Sequence, residues 1–294
     1  MRITRDKIYN RFIPEIQPCA EISSGGRLTL ETLDALFGRS ADDRDGKLTR
    51  EYVISHANPA TGPIYVKEAM PEDTLEIEIH DIKLAGRGFL NVPSRSGREY
   101  IEVEALSGGS LHILHNDKIL PARPMIGVIG VADHFENFKG HSGLTVEAGD
   151  HGGNMDNNAV TAGATVYLPV FVEGALFGIG DIHGIMGDGE VFGQGVEICA
   201  EVDITVRVNK NMKIHRPLVM SKEIISTAAS AETMEKASEL AISDMRYILE
   251  TYHGQKPADA ALAIALYGDL RVCQIVNPQK TMRMEIKKEV IRDF

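Results

Sequence analysis

Residues 180–190, GDIHGIMGDGE, set Asp181, His183, Asp188 and Glu190 among four glycines. Carboxylates and imidazoles are divalent-metal ligands and proton carriers near neutral pH. Two other segments carry a similar mix. SHANPATGPIYV (55–66) holds His56, and GDHGGNMDNN (149–158) holds Asp150, His151, Asn154 and Asp156. A catalytic metal takes two or three such ligands from different segments and keeps one position open for water. Glycine lets the loops approach closely, at a cost in backbone entropy that metal bonds and flanking strands would offset.

Plainer readings stand beside this one. Asp-x-His arises by chance, and glycine-flanked Asp is ordinary turn chemistry. His112 and His115 fall on strand-like sequence and read as structural. His134 and His141 lie in the polar stretch ADHFENFKGHSG and read as solvent-exposed. The segment ADDRDGKLTRE (41–51) reads as an exposed turn. It fails as a calcium loop, because Ala41 and Tyr52 stand where acids are required.

Other chemistries find no template. There is no GxxxxGK[ST] phosphate loop and no G-x-S-x-G elbow, and the glycine runs do not complete a dinucleotide fingerprint. Cys19, Cys199 and Cys273 are too scattered for a disulfide framework and lie outside the histidine-bearing segments. A formal charge of −11 opposes nucleic-acid and anionic-membrane partners. No run approaches the ~20 apolar residues of a membrane span. The opening MRITRDKIYNRF lacks the apolar run of a signal peptide, so a cytoplasmic protein is expected.

The elements that must position these residues read as mostly strands. TLEIEIHDIKL (74–84), EYIEVEAL (99–106), SLHILHN (110–116) and VEICAEVDITVRV (196–208) carry extended, often alternating patterns. PMIGVIGVA (124–132) and ATVYLPVFV (164–172) are apolar runs of the kind covered on both faces. The stretch 1–70 has no regular pattern. Between Ala231 and Tyr252 apolar residues recur every three or four positions. That predicts a helix capped by Ser230 and stopped by Gly254, with a second helix over 258–268. Extended character returns over 271–277 and 282–286. The expectation is a mainly β fold with an α/β portion: a β-sandwich or barrel-like assembly with a helical hairpin near the C-terminus. The region 1–210 would carry the metal site, with an α+β region, 211–294, packed on it.

Taken together, TGPIYV (61–66), RPMIGVIGVA (123–132), GGNMD (152–156), AGATVYLPVFVEGALFGIGDIHGIMGDGEV (162–191) and GDLRVCQIVNP (268–278) resemble the acetamidase/formamidase family. The resemblance implies hydrolysis of a short aliphatic amide to carboxylate and ammonia, and a homodimer or higher homo-oligomer. It also implies a divalent metal, zinc first and calcium second. Ligand roles pass to His56, Asp156, Asp181 and His183, with Glu190 as a further ligand or proton carrier. The amides of Gly152 and Gly153 could bind the oxyanion, since glycine allows close approach. Two alternatives remain open. One is a metal-dependent hydrolase of another small C–N substrate, such as a cyclic amide. The other is a β-sandwich binding protein that holds calcium without catalysis.

Overall fold

The computed structural model describes residues 1–36, 50–95, 97–135 and 142–291. Most of the turn read over 41–51, and His141, lie outside the described residues. The alternating stretches do become strands. Thr74–Ser94 and Glu197–Asn209 run antiparallel, from Thr74 opposite Asn209 to Phe89 opposite Glu197. Leu75, Ile77 and Ile79 join Val202, Ile204 and Val206 in one buried cluster, as period-2 patterning requires. Gly26–Glu31 adds to the free side of Glu197–Asn209. Gly97–Leu106 and Thr165–Pro169 add to Thr74–Ser94.

A second limb of the sheet is built from the apolar runs. Phe177–His183 lies between Met125–Gly130 and Ala60–Val66, and Met125–Gly130 also pairs with Gly152–Asn154. A short helix, α1 (Arg50–His56), leads into Ala60–Val66. The two limbs meet where His183 pairs with Glu197. Beyond Thr165–Pro169 the pairing continues through Leu218–Met220, Ile224–Ala231, Lys280–Lys287 and Asp269–Gln274. All of these strands belong to one connected network that curls into a half-barrel. The mainly β fold expected from the sequence is the fold observed.

Two longer helices cover the C-terminal end of that network: α2 (Met234–Tyr252) and α3 (Pro257–Tyr267). Ala241, Met245, Ile248 and Leu249 of α2 and Ala260 and Ala263 of α3 are buried with Met284 and Ile286 in a second cluster. We propose a division near residue 210 on the strength of the two cores, although the sheet runs across it. Among the described residues no helix is long and apolar enough to cross a membrane.

Three expectations are corrected. The stretch 1–70 holds real strands, Gly26–Glu31 and Ala60–Val66 among them, which short length and distant partners concealed. The strand read over 74–84 continues to Ser94 despite Gly86 and Pro93. The cap of α2 is Thr233, whose hydroxyl accepts from the Lys236 amide (3.1 Å), not Ser230. Ser230 is buried in the preceding strand and bonds Thr281 (2.9 Å). Gly254 does mark the helix end, in the left-handed conformation just past the last turn. Replacing Thr233 with Ala should therefore lower unfolding stability by about 1 kcal/mol, read by denaturant titration.

Candidate active site

Alternation along Phe177–His183 sends Asp181 and His183 to one face, while Ile182 joins the core on the other. The pairing of His183 with Glu197 brings a third ionisable side chain alongside from a strand distant in sequence. Asp156 follows the Gly152–Asn154 strand, and its amide and that of Met155 both donate to the Gly127 carbonyl (3.2 and 3.1 Å). Glu190 arrives on the turn after Gly187. All five are buried: Asp156 and His183 completely, Glu190 least, at 7% exposed.

These side chains face one another at short range. His183 Nε2 lies 3.1 Å from Glu197 Oε1 and 3.6 Å from Asp181 Oδ1, and His183 Nδ1 lies 4.0 Å from Asp156 Oδ1. The distances suit ion pairs, yet neither ring nitrogen is aligned for a hydrogen bond. One oxygen each of Asp156, Asp181, Glu190 and Glu197 is likewise buried without a hydrogen-bond partner. Such orphans cost free energy and are rare in folded proteins. Among the described residues two sets of donors lie within 4.8 Å of one another: Asp156, His183 and Glu190, and Asp181, His183 and Glu197. In either set, an imidazole nitrogen and two anionic oxygens converging in this way fit a divalent cation, which would satisfy orphaned atoms of that set.

Electrostatics point the same way. Burial, reinforced by neighbouring carboxylates, pushes Asp156 well above the usual carboxylate range, Glu190 up to about 7 and Glu197 up to about 8. Burial of the His183 ring opposes its charged form, but Glu197 and Asp181 outweigh it and the imidazole is raised well above its ordinary value. The group resists carrying its full negative charge unless a cation is present.

Asparagines hold the outer oxygens. With its amide nitrogen turned to the acids, Asn154 donates to Asp181 Oδ2 (3.1 Å) and Asp156 Oδ2 (3.3 Å). Its oxygen then accepts from Asn277 (3.0 Å) and Asn58 (3.2 Å), and Asn58 also donates to Asp181 Oδ2 (2.8 Å). Both aspartates are thus gripped at Oδ2, and their Oδ1 atoms are left facing the histidine.

Backbone geometry explains the glycines. Asp156, Asp181 and Glu190 all adopt positive φ, a strained choice for side chains with a Cβ. A Cβ on Gly127 would stand 2.6 Å from Asp156 Oδ1 and 2.8 Å from Asp181 Oδ2. The missing side chain is the space that two carboxylates occupy.

The structure gathers Asp156, Asp181, His183 and Glu190, and separates His56 from them. His56 ends α1, where it is exposed, stacks on Tyr52 and lies in neither donor set. Asn58, two residues on, is the member of that segment that reaches Asp181. Gly152 and Gly153 sit in a ladder between Met125–Gly130 and Ala148–Gly149, with closest approaches to the carbonyls of Ile129 and Glu147. That packing accounts for both glycines without an oxyanion role. Asp188 is turned away and pairs with Arg283. Sequence reading missed Glu197, which looks like any polar position of an alternating strand. Only its register opposite His183 reveals it.

A half-barrel with a buried carboxylate–imidazole cluster defines a β-rich protein built around one crowded ionisable site. The chain belongs to the acetamidase/formamidase family, whose model matches residues 1–94 and 115–238. It is similar to the crystal structure of "a recombinant predicted acetamidase/ formamidase" from Thermoanaerobacter tengcongensis, with 33% identity and a TM-score of 0.89 over 100% of this chain and 97% of that one. An acetamidase from Bacillus halodurans matches with 32% identity and a TM-score of 0.87, over 100% and 99% of the two chains. A formamidase from Methylophilus methylotrophus is 24% identical over 70% of this chain, which covers 65% of that protein's length.

Gly127→Ala tests whether the space between the carboxylates matters. The added methyl should displace both aspartates and, if the group binds a divalent ion, lower that affinity by about 10–100-fold, the scale of losing support around the ligands. Metal titration followed by calorimetry would read it, and unchanged affinity would show that the space is incidental.

Proposed function

We propose that the chain is a metal-dependent amidohydrolase that splits a short aliphatic amide, formamide- or acetamide-like, into a carboxylate and ammonia. The observation that carries this is the buried group of four carboxylates and one imidazole, each with an unsatisfied atom, gathered into two donor sets that share His183. Family membership and the names of the relatives support the substrate class. We infer assembly into a homodimer or higher homo-oligomer from the family alone.

Asp156, Asp181, His183 and Glu197 are the ligand set, which omits His56 and adds Glu197. Glu190 is either a further ligand or the proton carrier. Zinc is the first candidate and calcium the second. A divalent ion held there would supply a Lewis acid and lower the pKa of its water towards about 7. His183 can give the ion one ring nitrogen and hold the other against a carboxylate, which fixes tautomer and ring orientation. Asn154 and Asn58 keep Asp156 and Asp181 from rotating away. Glu190 stands at the rim of the group, where its carboxylate can take a proton from water and hand it to the departing nitrogen.

Chelation should abolish ammonia release from formamide or acetamide, and a divalent ion, zinc first, should restore it. His183→Ala should lose metal and turnover together, whereas His115→Ala, exposed beside Glu99, should keep both. Full turnover by protein shown to be metal-free by elemental analysis would sink the metal reading. Turnover confined to cyclic amides would move the substrate class, and metal-dependent stability without any turnover would favour the calcium-binding alternative.

Glu190→Gln separates the two roles of that residue. As proton carrier, the variant should keep its metal and lose roughly 10²–10⁴-fold in kcat, the usual range for a general acid–base. As ligand, it should lose metal. A variant with full metal and near-normal kcat would take Glu190 out of the mechanism.

A further inference from the structure

Glu190 reaches the site on the turn Gly187–Asp188–Gly189, whose two glycines give the backbone little stiffness of its own. Yet Glu190 is buried at a strained, positive φ. Local bonds from its amide to the Gly187 carbonyl (3.2 Å) and from the Gly193 amide to its carbonyl (2.7 Å) close the turn, so contacts outside it must fix where the turn sits. The contacts that do so come from the C-terminal sheet, almost a hundred residues further along the chain.

Arg283, on the strand Lys280–Lys287, has a side chain only 4% exposed. Its Nη1 and Nη2 meet Asp188 Oδ1 (3.0 Å) and Oδ2 (2.8 Å) in a two-pronged fork. The rest of the guanidinium is occupied as well, with Nε donating to Glu285 (2.6 Å) and Nη1 to the Val272 carbonyl (3.2 Å). Such a fork fixes direction as well as distance, which a lysine could not do. Asn158 donates to the same carboxylate (2.8 Å). On the far side of Asp188, the Gly189 amide donates to the Cys273 carbonyl (3.0 Å), and the Ile275 amide donates to the Gly189 carbonyl (3.2 Å). The turn is therefore gripped by its one side chain and by the backbone immediately before Glu190.

We propose that Arg283 is a positioning residue for Glu190: through Asp188 it holds the turn that aims the Glu190 carboxylate at Asp156 and His183. Arg283 touches neither the carboxylate–imidazole group nor the volume between its donors, so it acts only through the turn. This rests on the role given to Glu190 above. It also assigns the C-terminal sheet a share in the site, to which that sheet's neighbouring loop already contributes Asn277.

Two measurements on the 294-residue chain test the proposal. The first is amide hydrogen exchange in Arg283→Met and, because a buried Arg can be needed for folding, in Asp188→Asn as well. Exchange over 187–190 should speed up markedly in both variants while 177–183 keeps its protection. The second is a double-mutant cycle with Glu190→Gln, read on kcat for amide hydrolysis and on zinc affinity by chelator competition. Removing the fork should lower kcat by about 10–10²-fold with KM nearly unchanged. The same change should cost little once Glu190 is already Gln, because the two act as one unit. Unchanged exchange over 187–190 in the variants that fold would overturn the proposal, as would equal losses in both backgrounds. If Glu190→Gln itself changes neither kcat nor zinc affinity, the reading of Glu190 fails, and the exchange experiment alone decides whether Arg283 holds the turn.

Discussion

Four carboxylates and one imidazole share a buried volume with too few hydrogen bonds among them, and the rest of the structure is arranged around that cost. Desolvating one carboxylate is expensive, and crowding several raises the expense further. Among the described residues no lysine or arginine pairs with these carboxylates, and His183 is the one cationic partner at their centre. Arg283 is buried nearby but commits its donors to Asp188, Glu285 and a carbonyl. Neutral asparagine amides grip the outer oxygens and leave the inner ones aimed at the histidine. Neutral donors fix orientation without cancelling charge, which suits the divalent-ion site proposed for this group.

That arrangement also dictates where the backbone is strained. Bringing three acids to one point from a strand, a post-strand turn and a loop puts each of them at positive φ. The strain is tolerated because the surroundings are rigid: Phe177–His183 is buried along its whole length between two strands. Gly127 then supplies the room, and Gly195, whose Cβ would stand 2.6 Å from the His183 ring, lets the chain pass closely on its way to Glu197. The glycines near the site make close approach possible within a stiff frame.

Much of this was legible in the sequence. The types and closeness of Asp181 and His183 mark them as site residues, but the stretch reads as a glycine-rich loop. The structure makes it the buried strand Phe177–His183, where a spacing of two puts both on one face. GGNMD announced a second ionisable residue on glycine-bearing backbone. What escaped reading depends on pairing between distant strands. Glu197 in VEICAEVDITVRV is chemically indistinct from Glu201, and only the register opposite His183 separates a site residue from one ion-paired with Arg2. His56 and Asn58 show the opposite case. The right segment was chosen, but the residue of greatest chemical interest was not the one that the chain turns inward after the helix. The strands within the stretch 1–70 were missed for a related reason: Ala60–Val66 pairs with Phe177–His183, and nothing local says so.

The role of the C-terminal sheet follows from the same physics. A glycine-flanked acid brings its carboxylate to the site only if other contacts remove the freedom that glycine confers. Local hydrogen bonds supply part of that here: Glu190's amide donates back to the Gly187 carbonyl (3.2 Å), and its carbonyl accepts from the Gly193 amide (2.7 Å). The remaining restraint must come from tertiary contacts, and the strands that provide it are the last ones in the chain. The lysines and arginines of the exposed sheet face pair with acids in solvent, where such pairs contribute little. Arg283 is different because it is buried and satisfied on every side, so its geometry passes to Asp188 with little slack. A charge that contributes little on an exposed face becomes, once desolvated and forked, a fixed point from which a flexible turn can be aimed.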